Sequence, residues 1–334
     1  MKIETECLPI STIGRIYGVN GETLRKIYKY RLSGYPEWGG MSMTHHSQTP
    51  YVCFPENCGP NLSIDETALS RDELFTIVTN KDAHGGRGTL VAMIYGTKVS
   101  DIVAVLQEAV PAWRRLKAKE VTCDLSSAMM ESVKISFPLA IITNDRFHVQ
   151  QLFNEAMDDL RIDIRHQVRR DEATVQEMCR EQGIEYVPTK TRNGETWPQI
   201  LVRTKQALMV SKEKWSATQR QRMEILFENY PQIGQAYKVM QRLRKIFNEK
   251  ADHLKGGAML MKWFREVEAL GREHFNTVVR TFKNNYKTIV NYFRSRATNA
   301  SAESFNAKIK MFRTQLRGVS DPLFFIFRLC KLFA

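Results

Sequence analysis

Residues 61–96 read NLSIDETALSRDELFTIVTNKDAHGGRGTLVAMIYG, and this stretch decides the fold class. Three runs in it, NLSIDETAL, ELFTIVTN and TLVAMIYG, are rich in apolar and β-branched residues. Polar turns such as HGGRG separate them, which is the signature of consecutive strands. The period then changes. Residues 99–118, VSDIVAVLQEAVPAWRRLKA, have helical spacing that Pro111 must end or kink, since proline lacks the donor a helix interior needs. EVTCDLS is a fourth strand followed by a helix through SSAMMESVKISF. AIITNDRFHV is a fifth, running into a helix through QQLFNEAMDDLR.

Three strands, then helix, strand, helix, strand, helix is the order of a ribonuclease H-like α/β fold. In that fold a mixed five-stranded sheet is made from an antiparallel meander and two parallel strands added through helices. From about residue 155 to 290 the strand signals fade, and segments such as SATQRQRMEILFENYPQIGQAYKVMQRLRKIFNEK keep helical periodicity. This predicts a large all-α insertion. Upstream, LPISTIGRIYGVNGETLRKIYKYRL (8–32) reads as two short helices around Gly18-Val19-Asn20, either a helix-turn-helix or a plain helical hairpin. The expected organisation is therefore a helix-turn-helix-like segment over 1–35 and a Gly/Pro/Ser/Thr-rich linker over 36–60. The first part of the core follows over 61–155, the helical insertion over 156–290, and a last core helix with a C-terminal helix over 291–334.

Charge is distributed unevenly. Residues 201–334 hold 26 Lys+Arg against 10 Asp+Glu, whereas residues 1–200 hold 23 against 26, so the net +13 comes from the C-terminal part. A basic, aromatic-rich half points to a polyanion, most simply DNA. No apolar run is long enough to span a bilayer, and MKIETECLPIS lacks the basic-then-apolar pattern of a signal peptide. Six scattered cysteines suit a reducing cytosol, and a bacterial cytoplasmic, nucleoid-associated location is expected. Cys53-x4-Cys58 with His45 and His46 upstream suits a zinc ribbon poorly and has no second cysteine pair, which argues against zinc.

Three acids stand out. Asp65 lies within the first strand, in SIDETAL, opposite in direction to Ile64. Asp124 ends the fourth strand, in VTCDLS, and Glu303 sits in the first turn of a helix in TNASAESFNAKIKMFRTQ (298–315). Each has an ordinary reading: a solvated strand residue, a helix N-cap, and a complement to a helix dipole. In the fold order above, however, the first and fourth strands are neighbours and a late helix crosses them. Three converging carboxylates would repel unless hard, oxygen-preferring cations lay between them.

SIDETAL, VTCDLSSAM, FPLAIITNDRFHVQQ and TNASAESFNAKIKMFR, in that order, closely resemble the DDE transposases of bacterial insertion sequences, specifically the ISL3 group, over residues 60 to about 320. The resemblance implies a ribonuclease H-like core interrupted by a helical domain. It implies Asp65, Asp124 and Glu303 as ligands of two Mg²⁺, with Mn²⁺ as a substitute, and DNA cutting at transposon ends followed by joining of the 3′-hydroxyl to target DNA. Asp145 and His148, in NDRFHV, match an Asp-x-x-His element of related transposases. Asp145 would orient a base or assist a metal and His148 would contact a phosphate, unless the pair is a helix cap and a packed histidine.

The partners implied are double-stranded DNA, as terminal repeats and target, and at least a second copy of the chain. The cysteine-rich N-terminal region of the family has no counterpart here, so end recognition is either reduced or shared with a separate partner protein. Basic and aromatic residues expected at DNA are Arg25, Lys26 and Lys29 in the second short helix, and Arg294 and Arg296 before the last core helix. Asn306, Lys308, Lys310, Arg313 and Arg317 follow within or after that helix, and Trp215 and Trp263 are candidates to stack on unpaired bases. Two alternatives stand beside this reading: an inactive DNA-binding regulator, and a ribonuclease H-type nuclease or resolvase that cuts without strand transfer.

Overall fold

The computed structural model describes residues 8–45, 48–69, 73–315, 319 and 321–334. The chain divides into two units, one made of residues 1–145 and 296–334, the other of residues 146–295.

The first unit is built on β3 (Asn61–Ala68), β4 (Leu74–Asn80) and β5 (Leu90–Tyr95), an antiparallel meander, with β6 (Glu120–Cys123) and β7 (Ile141–Asn144) added in parallel beside β3. The sheet has seven strands, in the order β1-β2-β5-β4-β3-β6-β7, where five were expected. The additional two, β1 (Ser42–Met43) and β2 (Pro50–Cys53), come from the segment read as a linker, and β2 pairs antiparallel with β5. Its Tyr51, Val52 and Cys53 lie against Ile94, Met93 and Ala92, so neighbouring strand edges make it a strand that its own short, Pro- and Thr-flanked sequence does not announce.

Alternation along the strands sorts the two faces. Leu62, Ile64, Val121, Cys123 and Ile142 join one core cluster, against which the two crossover helices pack. The helices of this unit that precede the helical unit include, in chain order, α1 (Ile10–Ile16), α2 (Gly21–Ile27), α3 (Val99–Ala109) and α4 (Ser127–Ser136). Ile102, Val105 and Leu106 of α3, and Met129, Met130 and Val133 of α4, close that first face. A one-residue slip of β3 would exchange its apolar and polar sides, so burial of Leu62 and Ile64 fixes which way Ser63 and Asp65 point.

In the second unit α5 (Arg146–Glu181) runs for 36 residues, buried only along its first half, and α6 (Trp197–Arg203), α7 (Ala217–Asn229), α8 (Pro231–Asn248), α9 (His253–Ala269) and α10 (Asn276–Val290) follow. No strand is assigned there among the described residues. Its core is aromatic: Trp263 is fully buried between Phe153 and Phe282, with ring centroids 5.8 and 5.5 Å away. Gly256 is required by packing, because a Cβ there would lie 2.3 Å from the Phe293 ring.

Back in the first unit, α11 (Ala300–Gln315) and α12 (Pro322–Phe333) cover the opposite face of the sheet. Phe305, Ile309 and Phe312 of α11 and Phe325, Ile326 and Leu329 of α12 pack on Ile77, Leu90 and Met93. The N-terminal helices rest on the same C-terminal helix: Ile10, Ile13 and Tyr28 cluster with Phe324 and Phe327. α1 and α2 approach each other closely at Gly14 and Gly21. A Cβ on Gly14 would lie 2.9 Å from the Cα of Gly21. No helix among the described residues is long and apolar enough to cross a membrane.

Candidate active site

The polar side of the sheet lies where the three parallel strands end. The register pairs Ser63 with Thr122 and Cys123 with Asn144. Carried on along the parallel strands, it sets Asp65 beside Asp124 and Asp124 beside Asp145, a row of three acids with Asp65 inside β3 and the other two just past the ends of β6 and β7. Open α/β sheets place ligands at such ends. The backbone confirms the last step: the Asp145 amide donates to the Cys123 carbonyl at 2.9 Å, and the Asn144 side chain donates to the Asp124 carbonyl at 2.6 Å.

Each acid is oriented by its neighbours. Asp65 Oδ1 accepts from the Glu66 amide at 2.9 Å, and its Oδ2 accepts from Asn306 Nδ2 at 2.9 Å. Asp124 Oδ1 accepts from the Ser126 amide at 2.9 Å, an Asx turn that leads into α4, whose N-cap is Ser126. Asp145 is fully buried, and its Oδ1 accepts from the Asn299 amide at 3.3 Å.

Helix α11 is therefore moored to this face at two points about two helical turns apart. Asn299, just ahead of the helix, bonds Ser63 Oγ and Asp145, and Asn306 bonds Asp65 and the Glu66 carbonyl. Positions 299, 303 and 306 share one helical stripe, so Glu303 falls between the two moorings along it, and its side chain is exposed.

The electrostatics show how crowded the negative charge is. The Glu66 carboxyl is pushed above its ordinary range by burial and then by the charges of Asp124 and Asp65. Burial, and after it Asp124, Asp145 and Asp65, push the Cys123 thiol up as well. Such a field, with donors that are all carboxylate oxygens, fits hard divalent cations. One counter-charge is already built in. Lys81, mostly buried, donates to Thr122 Oγ1 at 2.8 Å; burial lowers its pKa while Glu120, Asp82 and Asp145 oppose the shift. Sequence reading missed Lys81, because its place on the acidic face follows only from the pairing of β3 with both β4 and β6. A different set of side chains, Asp163, Glu273 and His274 in the helical unit, has ligand atoms mutually within 4.8 Å.

The remaining expected site residues are scattered. His148 lies in the first turn of α5, in the helical unit, whereas Asp145 ends the sheet unit. Arg25 pairs with Glu22 at 2.9 Å and Lys26 is exposed. Lys29 is not a surface cation: its ammonium is turned inward, bonded to Asp321 and lying over the Tyr35 ring, because α2 packs against the start of α12. Asn306, expected at DNA, is buried, and its amide donates to Asp65. Lys308 donates to the Gly85 carbonyl at 2.6 Å and Arg313 to the Ala68 carbonyl at 3.1 Å, so both brace α11, while Lys310 and Arg294 are exposed. Arg296 adopts a left-handed backbone with φ +57° where the chain returns to the sheet unit.

Trp263 is excluded from stacking on a base by its full burial, its indole N–H donating to the Val239 carbonyl at 2.9 Å. Trp215 is half-buried and its N–H is likewise used internally, on the Ala207 carbonyl at 2.8 Å. Arg317 and His46 lie outside the described residues. Burial pushes the Cys53 and Cys58 thiols up to about 12 and about 11.

A family model described as a transposase, the DDE type of the ISL3 group, matches residues 62–329. No curated protein and no solved structure matches the chain significantly.

Proposed function

This chain belongs to the ISL3 family of DDE transposases, and on that premise we propose that it cuts DNA at insertion-sequence ends and joins the freed 3′-hydroxyl to target DNA. The sheet order β5-β4-β3-β6-β7, with β3, β6 and β7 parallel, supports reading the first unit as ribonuclease H-like. One observation carries the catalytic reading. The register sets Asp65 and Asp124 side by side on neighbouring parallel strands, and the bonds of Asn299 and Asn306 to Asp145 and Asp65 hold α11, which carries Glu303, against that face.

Asp65, Asp124 and Glu303 would hold two divalent ions, Mg²⁺ in the first place, with Asp145 and Glu66 adding negative potential. Bound there, the ions supply charge neutralisation at the scissile phosphate and an activated water or 3′-hydroxyl. The protein's own part is orientation. Asn306 holds the Asp65 carboxylate, the Ser126 amide holds that of Asp124, and Asn299 ties the start of α11 to β3 and to the end of β7. Exposed Lys310, with Arg25, Lys26, Arg294 and Arg296, offers phosphate contacts. The N-terminal pair α1–α2 serves as a small helix-turn-helix-like module.

The test is a labelled insertion-sequence-end duplex incubated with Mg²⁺ or Mn²⁺ and either wild type or Glu303→Gln. Metal-dependent nicking that leaves a 3′-hydroxyl and is lost in the variant supports the reading. Equal nicking by both overturns Glu303 as a ligand. Transfer of the labelled end into a supercoiled plasmid separates a transposase from a nuclease that only cuts.

A further inference from the structure

The helical unit carries a groove of about 1260 Å³ whose walls come from the turn at 211–215, from α7 and from α8. Seven Lys and Arg side chains line it against two Glu, a surplus concentrated on a single concave surface. They arrive from three separate elements. Lys212 and Lys214 come from the turn and Arg220 from α7, while Lys238, Arg242 and Lys245 recur at helical spacing along α8 and so share one stripe. That stripe is about 10 Å long at 1.5 Å per residue, long enough to follow several phosphates.

The floor has no polar group to spare. Trp215, Phe227 and Tyr237 pack on one another, with centroids 5.3 to 6.3 Å apart. The Trp215 N–H is spent on Ala207, and the Tyr237 hydroxyl and the Gln241 amide both donate to the Val210 carbonyl at 2.9 and 3.2 Å. Arg244 donates to the Met209 carbonyl and Arg242 is paired with Glu266. What remains to meet a ligand is the exposed Arg220 and, in the majority, the exposed ammonium groups of Lys212, Lys214, Lys238 and Lys245 on flexible stems. Ammonium ions are point charges that lack the planar fork used to read a base edge. The volume also exceeds that of an ordinary small-molecule pocket.

We infer that this groove is a second DNA-binding surface, which grips duplex DNA through its sugar–phosphate backbone and without regard to sequence. The inference rests on the transposase reading for its choice of polyanion, but it concerns residues remote in sequence from the carboxylates and can fail independently of them. Each ammonium that neutralises a phosphate releases condensed counterions, so its removal changes the salt dependence of binding in a countable way.

The experiment compares full-length wild type, the triple variant Lys214→Gln/Lys238→Gln/Lys245→Gln, and a charge-matched control, Lys98→Gln/Lys117→Gln/Lys134→Gln, from exposed positions of the sheet unit. Binding to two metal-free duplexes of unrelated sequence is measured by fluorescence anisotropy across a salt series. The groove variant is expected to lose about 2.7 from the log–log salt slope and to bind on the order of 100-fold more weakly near 0.15 M salt, equally for both duplexes. The control is expected to keep the wild-type slope. A groove variant with wild-type slope and affinity, or a control that loses as much, overturns the inference. A loss confined to one duplex overturns its sequence-independence. None of these outcomes touches the cutting reading, which is judged by Glu303→Gln nicking.

Discussion

Asn306→Asp is the sharpest probe of the acidic face, because it changes a donor into a further anion without changing size. The native amide donates to Asp65 Oδ2 at 2.9 Å, in a place where burial and two neighbouring aspartates already push Glu66 upward. A new carboxylate about 3 Å from Asp65 would face a repulsion of roughly 5 kcal/mol at an effective dielectric of 20. The pair escapes part of this by sharing a proton, as close carboxylates do. Holding one carboxyl protonated at pH 7, against an unfolded value near 3.9, costs about 4 kcal/mol, which caps the penalty; at pH 5 the same cap is about 1.5 kcal/mol.

The folded pKa of the pair is raised, so between pH 4 and 7 the folded state binds more protons than the unfolded one. Stability relative to wild type therefore falls as pH rises. Urea denaturation followed by circular dichroism at pH 5, 6 and 7 should show a deficit of about 3–4 kcal/mol at pH 7 that shrinks to about 1–2 kcal/mol at pH 5. A deficit below about 1 kcal/mol at pH 7, or one that does not change with pH, would refute the contact between α11 and β3 on which the site is built.

Three further expectations concern the parts around the site. Trp263→Ala should destabilise the helical unit by about 3–5 kcal/mol through the cavity it opens, read as a lower melting temperature in calorimetry. Lys29→Ala removes an ion pair whose side chains are only 12% and 28% exposed; a loss of about 2 kcal/mol with DNA affinity unchanged is expected, and a marked loss of affinity would restore Lys29 as a DNA contact. Glu195 is held at about 2 by Arg222, and then by Arg203 and Asn193. Its folded pKa is depressed, so the stabilisation is complete above about 4.5 and lost as pH falls towards 2. It is worth at most about 3 kcal/mol, and Glu195→Gln should flatten that part of the acid-denaturation profile.

Much of the first unit could be read from residue order alone, because β3, β4 and β5 alternate clearly and the acids of β3 and β6 stand at positions where an unpaired charge is conspicuous. Glu303 was legible as an acid in the first turn of a late helix, since helical spacing is local, but the bond of Asn306 to Asp65 was not, and Asn306 was expected at DNA. What escaped reading was set by neighbours. PYVC becomes a strand because β5 offers it an edge, and Lys81 faces the acids because β3 lies between β4 and β6. Residue type also misled where direction mattered. Lys29 and Trp263 have the chemistry of DNA contacts, yet an aspartate from α12 and two phenylalanines turn them inward. The basic bias of residues 201–334 was visible as a sum, but its concentration in one groove depends on three elements folding together.

The bond between Asn299 and Asp145 joins the points where the chain leaves the sheet unit and where it comes back. A ribosome adding about 5–20 residues per second spends roughly 8–30 seconds on the residues between them. During that interval the nascent strands expose Asp65, Asp124 and Asp145 with no α11 to cover them, and the third carboxylate does not yet exist. On the function proposed above, synthesis order acts as a safety catch: the capacity to cut DNA would be completed only as the last residues of the chain emerge.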